Sequence, residues 1–260
     1  MSCGLMSERV SDVTEDAFLG GKLRLRQPKS GHRAGHDAIL LAAATRACSG
    51  DRVVDLGAGV GAAGLAVAKR VAGIELVFVE IDEGLAELAR ANASVNAIAA
   101  ETLVLDVTSS AENFVGAGLA PESVDVVLMN PPFNDVARHR ASPDKSRAIA
   151  HVATTETLEA WVHASRRILK SGGNLAMIWR ADGIAEVLAA LGRGFGSLVI
   201  LPVHADVESP AIRVLVRATK GGRAPTRLLA GFVLNDEAAR PTSDAQSILA
   251  GNALLPMAMP

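Results

Sequence analysis

The stretch Val53-Val54-Asp55-Leu56-Gly57-Ala58-Gly59-Val60-Gly61 decides the fold. Residues 52–57 form a short apolar run that ends in a glycine turn, which predicts a buried strand. Residues 61–71 (GAAGLAVAKRV) then predict a helix rich in small residues. A strand that passes through glycines into a helix leaves backbone open to a ligand at the carboxyl edge of a sheet.

Outward from this unit the same alternation repeats. Strands are expected at 75–81, 101–107, 124–129 and 174–179, with helices at 83–96, 155–170 and 182–193 and a weaker helix between 107 and 124. Asp82 is placed to cap the helix at 83–96, and 131–153 reads as loop. Alternating strands and helices predict an α/β fold with a parallel sheet covered on both faces. Two late strands, 197–203 and 211–218, are joined only by Ala205 to Pro210, too short for a helical crossover, so they should pair antiparallel. The expectation is a Rossmann-like, seven-stranded, mostly parallel sheet whose last strand pair is antiparallel. Residues 22–26 (KLRLR) alternate like an edge strand, and Asp37 opens an apolar helix. One domain spans 21–235, with a covering segment at 21–48, the core at 49–220 and a sheet extension at 221–235. Residues 1–20 are expected to be a flexible N-terminus and 236–260 a C-terminal tail.

Composition narrows the function classes. The 260 residues are 49% hydrophobic and 21% charged with a net charge of −2, which excludes a disordered chain and a uniformly basic nucleic-acid coat. No apolar run reaches the ~18 residues of a membrane span, and the first residues lack the pattern of a signal peptide. Cys3 and Cys48 have no metal or redox spacing, so a reduced, cytoplasmic setting is expected. The charge is segregated, however. Lys22, Arg24, Arg26, Lys29 and Arg33 fall in a stretch without acids. Arg90 is the only cation between 71 and 130, and Arg213, Arg217, Lys220, Arg223 and Arg227 crowd the late strands. An acidic middle lies between two basic ends.

Two cofactor classes compete for the glycine loop. Gly57-x-Gly59-x-x-Ala62, with Glu80 about twenty residues on, satisfies a loose dinucleotide fingerprint, so a nicotinamide cofactor is one reading. Asp55, just before the first glycine, would repel a pyrophosphate but can hold an ammonium or orient the loop. S-adenosylmethionine has an ammonium and a sulfonium and no phosphate, and is the preferred reading. Glu80 ends the next strand, where a carboxylate can accept from ribose hydroxyls. Asp106 ends the third strand, within reach of an adenine amine.

The fourth strand runs into Asn130-Pro131-Pro132-Phe133. Consecutive prolines remove two backbone donors and hold the residues before them extended. The Asn130 side chain and the Pro131 carbonyl can then face one cavity as acceptors. Two acceptors gripping the hydrogens of a planar NH2 favour a pyramidal nitrogen aimed at a methyl donor, by positioning and electrostatics rather than by a strong base. Phe133 offers a flat face for stacking.

With that motif, the Asp55–Gly61 loop resembles the class I S-adenosylmethionine-dependent methyltransferases that modify exocyclic or amide nitrogens. His32-Arg33-Ala34-Gly35-His36-Asp37-Ala38-Ile39-Leu40-Leu41, Arg213-Val214-Leu215-Val216 and Lys220-Gly221-Gly222-Arg223-Ala224-Pro225 are similar to the bacterial tRNA(Val) (adenine-N6)-methyltransferases. The resemblance implies S-adenosylmethionine contacts from Asp37, Asp55, Gly57, Ala58, Gly59, Gly61, Glu80, Ile81, Asp106, Val107 and Asn130. It implies an amine-binding catalytic loop of Asn130, Pro131, Pro132 and Phe133. The implied acceptor is an adenine N6 amine in RNA, a tRNA by family, with a protein glutamine amide or a small molecule as alternatives. Phe133 stands where that family often has tyrosine, and His36 where it often has threonine. Lys29, Arg33, Arg138, Arg140, Lys145, Arg147, Lys220 and Arg223 are the candidate RNA contacts. His32 and His36 beside Asp37 mimic a metal set, but their glycine-broken context argues against one, and no metal is expected. Trp161 and Trp179 read as core.

Overall fold

The computed structural model describes residues 13–29, 33–132, 145–192 and 194–259, with 145–156 described as backbone helix alone. The glycine-loop strand is β3 (Arg52–Leu56), four of whose five residues are buried. It is followed by α2 (Ala62–Arg70), β4 (Glu75–Glu80), α3 (Glu83–Val95), β5 (Ala100–Val104), α4 (Ala111–Gly116) and β6 (Val124–Met129). Then come α5 (Lys145–Ile168), β7 (Leu169–Arg180), α6 (Ile184–Leu191), β8 (Phe195–His204) and β9 (Ala211–Lys220).

In space the strands run β5, β4, β3, β6, β7, β9, β8. The pairs from β5 to β7 are parallel, whereas β9 is antiparallel to both β7 and β8. The seven-stranded sheet and its antiparallel last pair thus match expectation. The chain reverses direction of growth between β3 and β6, the crevice where ligands bind in open α/β sheets. Two short strands, β10 (Arg227–Leu228) and β11 (Phe232–Val233), extend the sheet beyond β8.

One apolar layer lies beneath α1 (His36–Ala44), α2 and α3, and another beneath α4, α5 and α6. Asp82 caps α3 by accepting from Leu85 N at 2.9 Å. Helix α5 starts at Lys145, ten residues before the expected start, because nothing after Pro143 breaks it.

Three further differences bear on the edges. The 22–26 strand does not join the main sheet. It is β2 (Leu23–Pro28), paired antiparallel with β1 (Val13–Phe18), which lies inside the expected flexible terminus. The hairpin is fastened to α3 by side chains. Asn92 and Asn96 each accept from and donate to one β2 peptide, those of Arg26 and Arg24. The expected C-terminal tail is also folded. It contains α7 (Ser243–Leu249), whose Ala245 and Ile248 are buried, followed by buried Leu255 and Met257.

Candidate functional site

The carboxyl ends of β3, β4 and β6 open into a cavity of about 760 Å³. Its wall includes Asp37, Asp55, Gly57, Ala58, Gly59, Glu80, Ile81, Asp106, Val107, Asn130, Pro131 and Pro132. Of the residues named from the sequence for cofactor contact, only Gly61 is off this wall. It sits at φ +82 as the residue before α2, where a Cβ would come within 3.0 Å of the Phe78 ring. Gly61 therefore serves helix–sheet packing at the end of the loop.

Gly57 needs its missing side chain for another reason. Its φ is +71, and a Cβ there would stand 2.1 Å from Cη2 of Trp161. The indole packs under the loop and lines the cavity, so Trp161 is both core and wall rather than core alone. Gly57 N and Ala58 N both donate to Val79 O, at 2.8 and 2.9 Å.

Two buried carboxylates pin the loop. Glu80 Oε2 accepts from Gly59 N at 2.7 Å, and Oε1 accepts from Ile81 N and Asp82 N at 2.9 and 3.0 Å. Each carboxylate oxygen has two lone pairs, so Oε2 keeps one toward the cavity. Asp55 Oδ2 accepts from Gly64 N at 2.8 Å. Burial pushes the Asp55 carboxyl up to about 7; the Gly64 N–H opposes this, and the nearby charge of Glu80 adds to it. Asp106 Oδ1 accepts from Thr108 N and Oγ1, which fixes the turn after β5.

At the end of β6, Leu56 lies opposite Met129, so Asn130 directly adjoins the glycine loop. Asn130 Oδ1 is buried and has no hydrogen-bond partner among the described residues. Above it, Asp37 at the start of α1 accepts from Nε of Arg213 in β9 at 3.0 Å. Arg213 and His36 also line the cavity. Arg213 was legible only as part of a family motif, because nothing local marks a strand arginine as facing a site in another layer.

The expected RNA contacts scatter. Arg33 reaches the cavity, but its guanidinium is held by Asp16 at 2.7 Å, Pro28 O and Thr14 Oγ1. Lys29 is exposed on the hairpin side. Lys220 lies at the far end of β9 from Arg213, paired with Glu122 at 2.8 Å, and exposed Arg223 follows it. These two are not brought to the cavity edge. Phe133, Arg138 and Arg140 lie outside the described residues, and the side chains of Lys145 and Arg147 are not described. Among the described residues, no group of three or more His, Cys, Asp and Glu is arranged to hold a metal, and no helix is long and apolar enough to cross a membrane.

The model of the methyltransferase small domain matches residues 35–202, most of the chain and nearly all of the site. The chain belongs to that family. A solved predicted O-methyltransferase from Agrobacterium tumefaciens is 34% identical, with a TM-score of 0.70 over 84% of this chain and 98% of that one. A tRNA1(Val) (adenine(37)-N6)-methyltransferase from Porphyromonas gingivalis is 28% identical over 66% of this chain and 68% of its own length. The 16S rRNA N2 G1207 methyltransferase of Thermus thermophilus, solved with AdoMet and guanosine, shares the fold. It is 22% identical, with a TM-score of 0.54 over 80% of this chain and 50% of that one. This methyltransferase small domain protein is therefore an S-adenosylmethionine-dependent methyltransferase, and the nicotinamide alternative falls.

Proposed function

We propose that the protein methylates the exocyclic N6 amine of an adenine in RNA, with a tRNA as the substrate class. The observation that carries this reading is the buried, unpartnered Oδ1 of Asn130 on the cavity wall. A buried acceptor left without a donor costs about 1–3 kcal/mol, and an incoming NH2 group relieves that cost. Pro131 lies next to it on the same wall and supplies a carbonyl as the second acceptor. An amine has two hydrogens for two acceptors, whereas a hydroxyl has one. That stoichiometry favours N-methylation over O-methylation.

The residues fit the cofactor. When bound, it supplies an electrophilic methyl group on a sulfonium. Asp55 faces its ammonium, and Glu80 accepts from ribose hydroxyls through its remaining lone pair. Ile81, an apolar side chain left 64% exposed at the rim, packs against the adenine plane. Asp106 takes the adenine amine, and Gly57 and Gly59 allow close backbone approach. Asp37 is held by Arg213 and supports the pocket from above. Asn130 and Pro131 orient the acceptor nitrogen toward the methyl group and localise its lone pair, and Phe133 stacks on the target base. The RNA reading rests on the similarity to tRNA adenine methyltransferases. A cytoplasmic setting follows from that substrate and suits the free, exposed Cys48.

The test is transfer of labelled methyl groups to tRNA, followed by nucleoside mass spectrometry. N6-methyladenosine should form, and Asn130→Ala should lower transfer by ~10²–10³ while S-adenosylhomocysteine binding stays within a few-fold. Undiminished turnover in Asn130→Ala, or label found in protein glutamine and none in RNA, would refute the proposal.

A further inference from the structure

Three arginines from three distant segments meet on one side of the sheet. Arg217 in β9 lies opposite Val199 in β8, and Val199 lies opposite Arg227 in β10. Residues opposite one another in a sheet leave on the same face. Val199 is buried in the layer beneath α1, so both arginines leave on the α1 side. Arg46 lies two residues past the end of α1, near enough for its charge to act on Arg217. Leu255 N donates to Ala43 O at 3.0 Å, which docks the C-terminal turn Pro256–Ala258 against the end of that helix. Arg217 Nη1 donates to Met257 O of this turn, while its buried Nε has no partner among the described residues.

No carboxylate among the described residues pairs with Arg46, Arg217 or Arg227. Several cations elsewhere are neutralised, among them Arg33 by Asp16, Arg213 by Asp37, Lys170 by Asp125 and Lys220 by Glu122. Burial and the charges of Arg46 and Arg227 together hold the Arg217 guanidinium below its ordinary value. Like charges gathered around a half-buried guanidinium are unfavourable, and a bound anion would reverse the sign of that interaction. Planar guanidinium groups fit phosphate oxygens in paired hydrogen bonds, so phosphate is the anion the chemistry favours.

We propose that Arg46, Arg217 and Arg227 form a phosphate-binding site that grips the RNA backbone away from the target base. The inference rests on the RNA reading above. Arg217 shares one row of the sheet with Asp55 on the cavity wall, through Leu128 and Ala176. Three strand spacings of ~4.8 Å put the two about 14 Å apart. Arg213, four residues earlier in β9 and on the same face, already lines the cavity. The cavity lies at the start of α1 and the arginine site past its end, so only an acceptor extending beyond one base can reach both.

The test uses the full chain carrying Arg46→Gln and Arg227→Gln, singly and together, since both residues are exposed and outside the cavity. Bulk tRNA binding is measured across a salt series, beside S-adenosylhomocysteine affinity and thermal stability. Each substitution should lower the slope of log K against log salt by ~0.7–0.9. The double variant should raise KM for tRNA about tenfold with kcat and cofactor affinity unchanged and a melting temperature no lower than that of the wild type. Arg46→Lys with Arg227→Lys should keep most of the slope. A wild-type chain that binds and methylates tRNA, with a double variant of unchanged slope, overturns the site and leaves the RNA reading standing. That outcome would also be expected if the arginines served an acidic protein partner. A wild-type chain that neither binds nor methylates RNA overturns the RNA reading, and this site with it.

Discussion

Replacing Asn92 should separate the role of the N-terminal hairpin from that of the cofactor loop. Asn92 is 0% exposed in α3. Its Oδ1 accepts from Arg26 N at 2.7 Å, and its Nδ2 donates to Arg26 O and to Val60 O, both at 3.0 Å. One amide therefore ties the hairpin strand to the residue between Gly59 and Gly61. In Asn92→Ala all three backbone groups lose their partner. Val60 O is fully buried and bears the whole desolvation penalty, whereas the two groups of Arg26 are partly wetted, so the sum is about 3 kcal/mol. For a domain of this size that is roughly 6–12 °C in melting temperature. Asn96 is the internal control. It makes the same pair of bonds to Arg24, at 2.9 and 2.7 Å, but in an exposed setting, so Asn96→Ala should cost under about 1 kcal/mol. The assays are urea unfolding and calorimetric titration with S-adenosylhomocysteine. Asn92→Ala should weaken cofactor binding severalfold by freeing Val60, and Asn96→Ala should leave it alone. Equal stability losses in the two variants, or an Asn92→Ala protein with wild-type cofactor affinity, would refute the coupling.

The remaining predictions concern the loop itself. The raised Asp55 carboxyl means that the unfolded chain releases this proton at lower pH than the folded one, so its contribution to apo stability falls as pH climbs from about 4 to about 7. The difference between wild type and Asp55→Asn in melts across that window isolates the effect, and parallel profiles would rule it out. Gly57→Ala places a Cβ 2.1 Å from Trp161 in a left-handed conformation that itself costs ~1–2 kcal/mol for an L-residue. It should lose at least tenfold in transfer, and adding Trp161→Leu should recover part of the stability. Wild-type melting of Gly57→Ala alone would show that the indole does not support the loop.

How much of this was legible in the sequence depends on where the determining contact lies. The glycine loop, the Asp82 cap and the Asn130-Pro131-Pro132 end of β6 are dictated by local backbone demands: a positive φ, an orphan N–H, a missing donor. Those demands leave residue types that can be read in a short window. The hairpin and the C-terminal helix are held by contacts across the fold, Arg26 to Asn92 over 66 positions and Lys22 to Asn252 over 230, which no window contains. Charge shows the difference most sharply. Counting cations along the chain selects Lys220 and Arg223, yet Glu122, 98 positions away, neutralises Lys220 at the end of β9 remote from the cavity. Residues of a strand alternate between faces, so Lys220 leaves on the face opposite to Arg213 and Arg217 and the cations of β9 do not by themselves form one patch. A patch needs same-row partners from neighbouring strands, and Arg217 and Arg227 have that relation through Val199. Residue spacing within a strand thus identifies candidates for charge, and only strand order and register decide which of them can act together on one ligand.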